Sequence, residues 1–417
     1  MEVVVTPGWP VSTSTRTRSW RRCGCRGRMG PGSSWSGNSG PSPAISARCV
    51  SGWSTRRSPW WSWRRPGCTG ARSWHVLEQD DAFELKLVNA HHVKRVPGRK
   101  ADVSDAAWLA QLAECGLLQG SFVPPAEIAR LRDLTRYRKK LTEDRAKEAQ
   151  RIQKLLEDAG VKLDSVVSDI LGMSARAMLE GLIRGETDTV QLAELAHGRM
   201  RPKIPDLRLA LEGRFADHHR FLLRMHLDHV EHLSAAIEQL DAEVARLMAP
   251  FAGPLRRLRT VPGIGQRSAE IILAEIGADM SRFPTAGHIA SWAGMCPGQH
   301  ESAGKQRSGR ARKGNAALRS VLCEVAWAAG RTKDTYLSAH FRRFCRRFGK
   351  DGTNKAVFAL GHTILVIIWH LLADAEAEYR DLGTDYFDRR TDTDAYRRRL
   401  VHQLEKLGHR VILEPAA

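Results

Sequence analysis

The stretch Thr260–Gly277, TVPGIGQRSAEIILAEIG, decides how this chain is read. Its glycine turn, VPGIG, lies between a basic helical turn, Leu255 to Arg259, and an amphipathic helix, Ser268 to Ile276. Such a turn presents backbone N–H groups at a helix start, where a phosphate oxygen can accept from them. Leu255, Leu258 and Val261 before the turn can close one small core with Ala269, Ile272, Leu273 and Ile276 after it, so the pattern predicts a helix-hairpin-helix. The alternative is an ordinary helical hairpin; Arg256, Arg257 and Arg259 favour contact with a DNA backbone. Gly263, Gly265, Arg256 and Arg257 are the candidate DNA-binding residues here.

Towards the C-terminus, Ile289, Trp292 and Ala293 predict a packed helix ended by Gly294. Gln299–Arg319, QHESAGKQRSGRARKGNAALR, is then a loop with two serines and six lysines or arginines. Ser302 and Ser308 are candidate nucleophiles. A serine in a glycine-rich loop is ordinarily only solvated, and although His300 lies close by, no histidine–acid pair has triad character. Lys305, Arg307, Arg310, Arg312 and Lys313 are candidate phosphate contacts. Asn315 is expected to cap a helix from Ala316 to Gly330. Residues 334–417 read as a basic extension: the run His340–Lys350, an apolar helix at 356–372, a final basic helix and a short strand, HRVILE. The apolar helix is short for a bilayer span and contains His362 and His370, so it reads as buried.

Towards the N-terminus, Ala126 to Ala159 is a charge-rich helix with Ile128, Leu131, Leu134, Leu141, Ile152 and Leu155 as its stripe. Two or three short helices are expected over 165–200, then a second long helix from about Pro205 to Met248. In it Val230, Leu233, Ile237, Leu240, Val244 and Leu247 alternate three- and four-residue steps, a coiled-coil seam. The two long helices can pair within one chain or join two chains. His218, His219, His226, His229 and His232 read as surface or seam residues, because no carboxylate cluster makes them a ligand set. Further upstream a strand is expected around Glu84 to Val88. Asp102 and Asp105, three apart at a helix start, can share one face and hold a hard divalent ion such as Mg²⁺; the competing role is helix N-capping.

At 417 residues the chain has room for two or three cores. Its net charge of +19 favours a polyanionic partner. Of that charge, +11 falls in residues 1–74, leaving +8 for the rest. The same 74 residues hold eight of the twelve tryptophans. Cys23 and Cys25 are too close for a zinc pair, and scattered cysteines fit a reducing cytosol. No secretory leader is visible. Residues 6–73 follow neither helical nor strand periodicity, and disordered arms are poor in tryptophan. Translation in the wrong frame explains them: permitted codons for Trp63–Gly70 hide MEATGVYW, and those for Val11–Trp20 permit LDVHKDTVV in the same alternative frame.

These motifs resemble a known family. VPGRKADVSDAAWLAQL, LTRYRKKL, the PGIG stretch through MCPG, ESAGKQRSGRARKGNAALRSVL and AGRTKDTYL are similar to DEDD-type insertion-sequence transposases of the IS110 class, relatives of Piv-type DNA invertases. The resemblance runs from about Trp74 to the C-terminus. It implies a mainly α chain with an α/β part: a truncated RNase H-like (RuvC-type) nuclease domain, long coiled-coil helices, and a helical transposase domain carrying the helix-hairpin-helix. The implied organisation is 1–73 out of frame or disordered, 74–125 the nuclease remnant, 126–250 the helical linker, 251–333 the serine-bearing domain and 334–417 the extension. Asp102 and Asp105 match the last two of four metal-binding acids, with Mg²⁺ as cofactor, and Ser302 matches the nucleophile, Ser308 less well. The first acid and the glutamate belong to motifs of the LDVHK and MEATG kind, which the translated sequence lacks. Partners implied are element-end and target DNA, a structured guide RNA and further copies of the chain as dimer or tetramer, with no membrane. The implied setting is the bacterial cytoplasm, at the nucleoid. Loss of activity is expected for this copy.

Overall fold

The computed structural model describes residues 2–6, 61–64, 84–88, 109, 111–118, 120–298, 301–302, 304–306, 311, 313–390 and 393–413. They are mainly helical. The chain divides into two compact units, Met1–Val123 and Pro124–Ala417.

In the first unit, β1 (Glu2–Thr6) lies between β2 (Trp61–Arg64) and β3 (Glu84–Val88), antiparallel to both. β3 is the strand expected from sequence. The three described strands are antiparallel, and β1 and β2 fall in or beside the segment read as out of frame. Val88 is buried in this unit and bridges to Gly120.

The second unit is built on two long helices, α1 (Ala126–Asp158) and α5 (Asp217–Met248). They pair within the chain and run antiparallel, since Arg138 meets Asp241 while Glu148 meets His226 and His229. Ile128, Leu131, Leu141, Ile152 and Leu156 from α1, with Leu223, Leu227, Val230, Leu233, Ile237 and Val244 from α5, are buried. Two polar layers interrupt this seam: buried Arg138 falls between Leu131 and Leu141, and buried Glu148 between Leu141 and Ile152.

Between the long helices lie α2 (Met173–Ile183), α3 (Thr189–Glu194) and α4 (Ile204–Ala210). The expected single helix from Pro205 to Met248 is thus two, α4 and α5. The cause is the end of α1: Arg214 N–H donates to the Ala159 carbonyl at 2.7 Å and Lys162 N–H to Ala210 at 2.8 Å, which ties the intervening chain to a non-helical path.

The remaining helices are α6 (Ala252–Arg259), α7 (Gln266–Ile276), α8 (Ala286–Ala293), α9 (Ala316–Arg331), α10 (Tyr336–Phe348), α11 (Thr353–Ala373), α12 (Tyr386–Arg389) and α13 (Thr393–Lys406). The apolar α11 is long enough to cross a bilayer, yet it packs against α6, α8, α9 and α10. Its polar groups are satisfied there: His362 Nδ1 lies 3.0 Å from the Met295 carbonyl, and Trp369 Nε1 donates to Phe283 O at 2.8 Å. Residues 334–417 therefore contribute a core helix as well as a basic surface. The expected strand HRVILE does not form; 409–413 follow α13 without a strand.

Candidate functional site

The glycine turn joins α6 to α7, and all seven residues expected to form its core are buried. Gly263 has φ +88°, and a Cβ there would sit 2.6 Å from Val325 O and 2.7 Å from Ala329 N. Only glycine lets this turn lie flush on α9, so the close backbone approach at Gly263 is to the protein's own helix. Gly265, Gln266 and Arg267 are exposed at the start of α7, where partial positive charge suits an anion. The Gly265 N–H, however, already donates to Ser268 Oγ at 2.9 Å. Arg256 and Arg259 are exposed, whereas Arg257 donates through Nε to Leu371 O at 3.0 Å and ties α6 to the end of α11.

The serine loop follows α8. β4 (Glu301–Ser302) pairs antiparallel with β5 (Lys305–Gln306), placing Ser302 directly opposite Lys305 across a two-residue turn. Gly304, at φ +72°, supplies the left-handed residue the turn needs. Lys305 and Lys313 are exposed. His300, Arg307, Ser308, Arg310 and Arg312 lie outside the described residues, as do Asp102 and Asp105.

The loop's exit is clamped. A Cβ on Gly314 would fall 2.3 Å from the Ala293 carbonyl carbon and oxygen, so the chain there lies against the end of α8. Asn315 caps α9 as expected, accepting from Leu318 N–H at 3.1 Å. Its amide also donates to Glu275 Oε2 at 2.6 Å.

Glu275 was not singled out from sequence, yet it is fully buried and central. Arg136 donates to both its oxygens, at 2.6 and 2.8 Å, a bidentate pair. Arg132 Nε lies 3.2 Å from Oε2, and its Nη2 donates to the Glu275 backbone carbonyl at 2.5 Å. Burial pushes the Arg132 guanidinium below its usual pKa, while the hydrogen bond to Glu275 raises that of Arg136. One carboxylate thus joins α1, α7 and the cap of α9. A neighbouring layer holds buried Arg138 2.7 Å from Glu270 Oε2 and 2.8 Å from Asp241 Oδ1, with Arg267 on the other Asp241 oxygen at 2.6 Å. In sequence these acids look like the solvent face of an amphipathic helix; only the packing of α1 over them makes them interior.

The histidines of α5 divide. His226 and His229 reach the buried Glu148 at 2.9 and 3.1 Å, and Arg151 pairs with the same carboxylate. Among the described residues no group of three or more His, Cys, Asp or Glu side chains could hold a metal ion.

This arrangement, a basic turn and a serine hairpin clamped to one helical scaffold, suits a DNA backbone, and the comparisons agree. A family model described as "Transposase IS116/IS110/IS902 family" matches residues 255–342, the turn, the serine hairpin, α9 and the start of α10. A second, a transposase model of the DEDD IS110 type, matches residues 59–160. Along both matched stretches the chain is similar to IS110-class transposases. It is 26% identical over 308 residues to a "Probable family 20 transposase" of Pseudomonas aeruginosa, covering 73% of this chain and 82% of that one. It is 30% identical over 154 residues to a "Pilin gene-inverting protein" of Moraxella bovis, covering 35% of this chain and 46% of the relative. An "Insertion element IS110 uncharacterized 43.6 kDa protein" of Streptomyces coelicolor is 31% identical over 147 residues, 34% of this chain and 35% of that one. The chain is therefore of the DNA transposase and recombinase enzyme class. The DEDD-type match begins at residue 59 and runs on through α1.

Proposed function

We propose that this transposase exchanges DNA strands through Ser302, and that the present copy has lost the chemistry. The observation that carries the reading is the backbone placement of Ser302. It stands opposite Lys305 on a tight hairpin whose exit is clamped through Asn315 to buried Glu275. In the reaction the serine oxygen attacks phosphorus, the P–O bond to the departing deoxyribose oxygen breaks, and that oxygen takes up a proton. A second transesterification, by a DNA hydroxyl, releases the serine. Lys305, Arg307, Arg310, Arg312 and Lys313 hold flanking phosphates, and Arg256 with the α7 start around Gly265 extends that grip as a helix-hairpin-helix.

Residues 74–125 are read as the remnant of an RNase H-like domain, in which Asp102 and Asp105 supply two of four carboxylates for Mg²⁺. When bound, the ion would neutralise charge developing on the phosphate. The frame of residues 6–73 omits the other two acids, so the donor set of this chain is incomplete. A structured guide RNA specifies the DNA sites, and the enzyme works at the nucleoid as an oligomer. The α1–α5 seam is closed within one chain, so a second copy docks elsewhere; exposed Phe221, Leu222 and Met225 on α5 suit that contact. A second reading, a non-catalytic DNA-binding protein or guide-RNA scaffold, gains support from Pro124–Ala417 being compact by itself.

The test is a strand-exchange assay with guide RNA, donor and target DNA. This polypeptide should give no product, and a version with the first 73 residues restored to the alternative frame should exchange strands. Ser302→Ala in the restored version should abolish the covalent protein–DNA adduct while DNA binding persists. Exchange by the present polypeptide, or a restored version without activity, sinks the proposal.

A further inference from the structure

A cleft of about 870 Å³ opens between α10, α12 and α13, far along the chain from the serine hairpin. Tyr336, His340, Phe344 and Phe348 recur at four-residue steps and so share one face of α10. Their rings form a ladder: His340 to Phe344 is 4.2 Å with 25° between planes, and Phe344 to Phe348 is 6.1 Å with 18°. Phe387 of α12 adds to it, 5.5 Å from Tyr336 and 5.1 Å from His340. The ladder is open at its end, where Phe348 is 37% exposed. His340 Nδ1 is buried without a hydrogen-bond partner, and burial, then the Arg343 charge, pushes its imidazole below the usual pKa. A neutral ring stacks without adding charge.

Arg343, Arg346, Arg347 and Arg399 line the same cleft, all exposed. None has a carboxylate partner among the described residues. Two sit over aromatic faces instead: Arg343 is 4.9 Å from the Phe387 centroid and Arg347 is 5.9 Å from that of Phe348. Four unpaired guanidinium groups around one cavity repel each other and call for a polyanion. Rings beside them call for a flat apolar surface. A duplex buries its base faces in its own stack; an unpaired nucleotide offers both features together.

We propose that this cleft binds unpaired nucleotides of a single-stranded nucleic acid, the arginines holding phosphates and the ring ladder taking a base by stacking. The site stands independently of the role given to Ser302. The full chain carrying Arg346→Gln, Arg347→Gln and Arg399→Gln together tests it by fluorescence anisotropy. The probes are single-stranded RNA, single-stranded DNA and duplex DNA of one sequence. Single-strand affinity should fall at least about tenfold, and the salt slope should shrink by about two. Duplex affinity should hold within about twofold. The single strand that loses affinity identifies the source, RNA, DNA or both. Unchanged single-strand affinity, or an equal loss for the duplex, overturns the proposal. A 2-aminopurine in the strand should be quenched on binding and regain emission with Phe344→Leu; absence of quenching by the parent removes the stacking role. Should Phe344→Leu fail to fold by circular dichroism, the arginine variant, altered only at exposed sites, still decides.

Discussion

Arginine serves opposite ends in two regions of this molecule. Along α1, Arg132, Arg136 and Arg138 are each held by a carboxylate of the scaffold: buried Glu275 and Glu270, and half-buried Asp241. Around the C-terminal cleft, Arg343, Arg346, Arg347 and Arg399 face solvent, with no carboxylate partner among the described residues. The first set cannot bind DNA through those groups without breaking the scaffold. The second contributes nothing to the scaffold by ion pairing and is free for a ligand. Net charge alone does not distinguish the two; the partner on the other side of each guanidinium does.

The strongest way to break that contrast is Glu275→Ala. It would remove the carboxylate that mostly buried Arg132 and its neighbour Arg136 face, and leave the Asn315 amide without its acceptor. A loss of about 3–5 kcal/mol is expected from urea unfolding of the full chain. A loss much below about 1 kcal/mol would mean that the layer is not structural. Asn315→Ala should cost less, about 0.5–2 kcal/mol, as a helix cap.

Glu148 sharpens the same contrast through pH. Burial pushes its carboxyl up, but the His226 hydrogen bond and the Arg151 and His229 charges outweigh that and hold it below its ordinary value of 4.5. The folded state therefore binds this proton less readily than the unfolded chain. Its stabilising contribution is present above about pH 4.5 and is lost as pH falls through the lower, folded value. Unfolding midpoints of the parent should drop more steeply in acid than those of Glu148→Gln; parallel curves would remove the buried carboxylate from the account.

The smallest effect belongs to the cleft. Arg346→Gln with Arg347→Gln should leave the thermal midpoint where it is, because neither side chain has an ion-pair partner among the described residues. A clear drop would place them with the structural arginines of α1.

Much of this was readable from spacing. The glycine turn, the cap at Asn315, β3 and the buried α11 all follow from local signals: periodicity, a left-handed glycine, a short polar side chain before a helix. The division of the second long helix was not readable, because its cause is a hydrogen bond between Arg214 and the distant Ala159. Nor was the intramolecular pairing of α1 with α5, since a heptad seam is the same whether its partner is in the same chain or another.

By itself the sequence carried the resemblance to IS110-class transposases, through motifs whose order and spacing survive without a fold. It also predicted the two helices that flank VPGIG and singled out Ser302 as the residue to test. The tertiary structure decided which charges are interior. Glu270, Glu275 and Glu148 become core carboxylates only because arginines and histidines from other helices meet them there. The physical reason is range: capping and periodicity act over a few residues, whereas these buried carboxylates meet groups on other helices as far as 78 and 139 positions away.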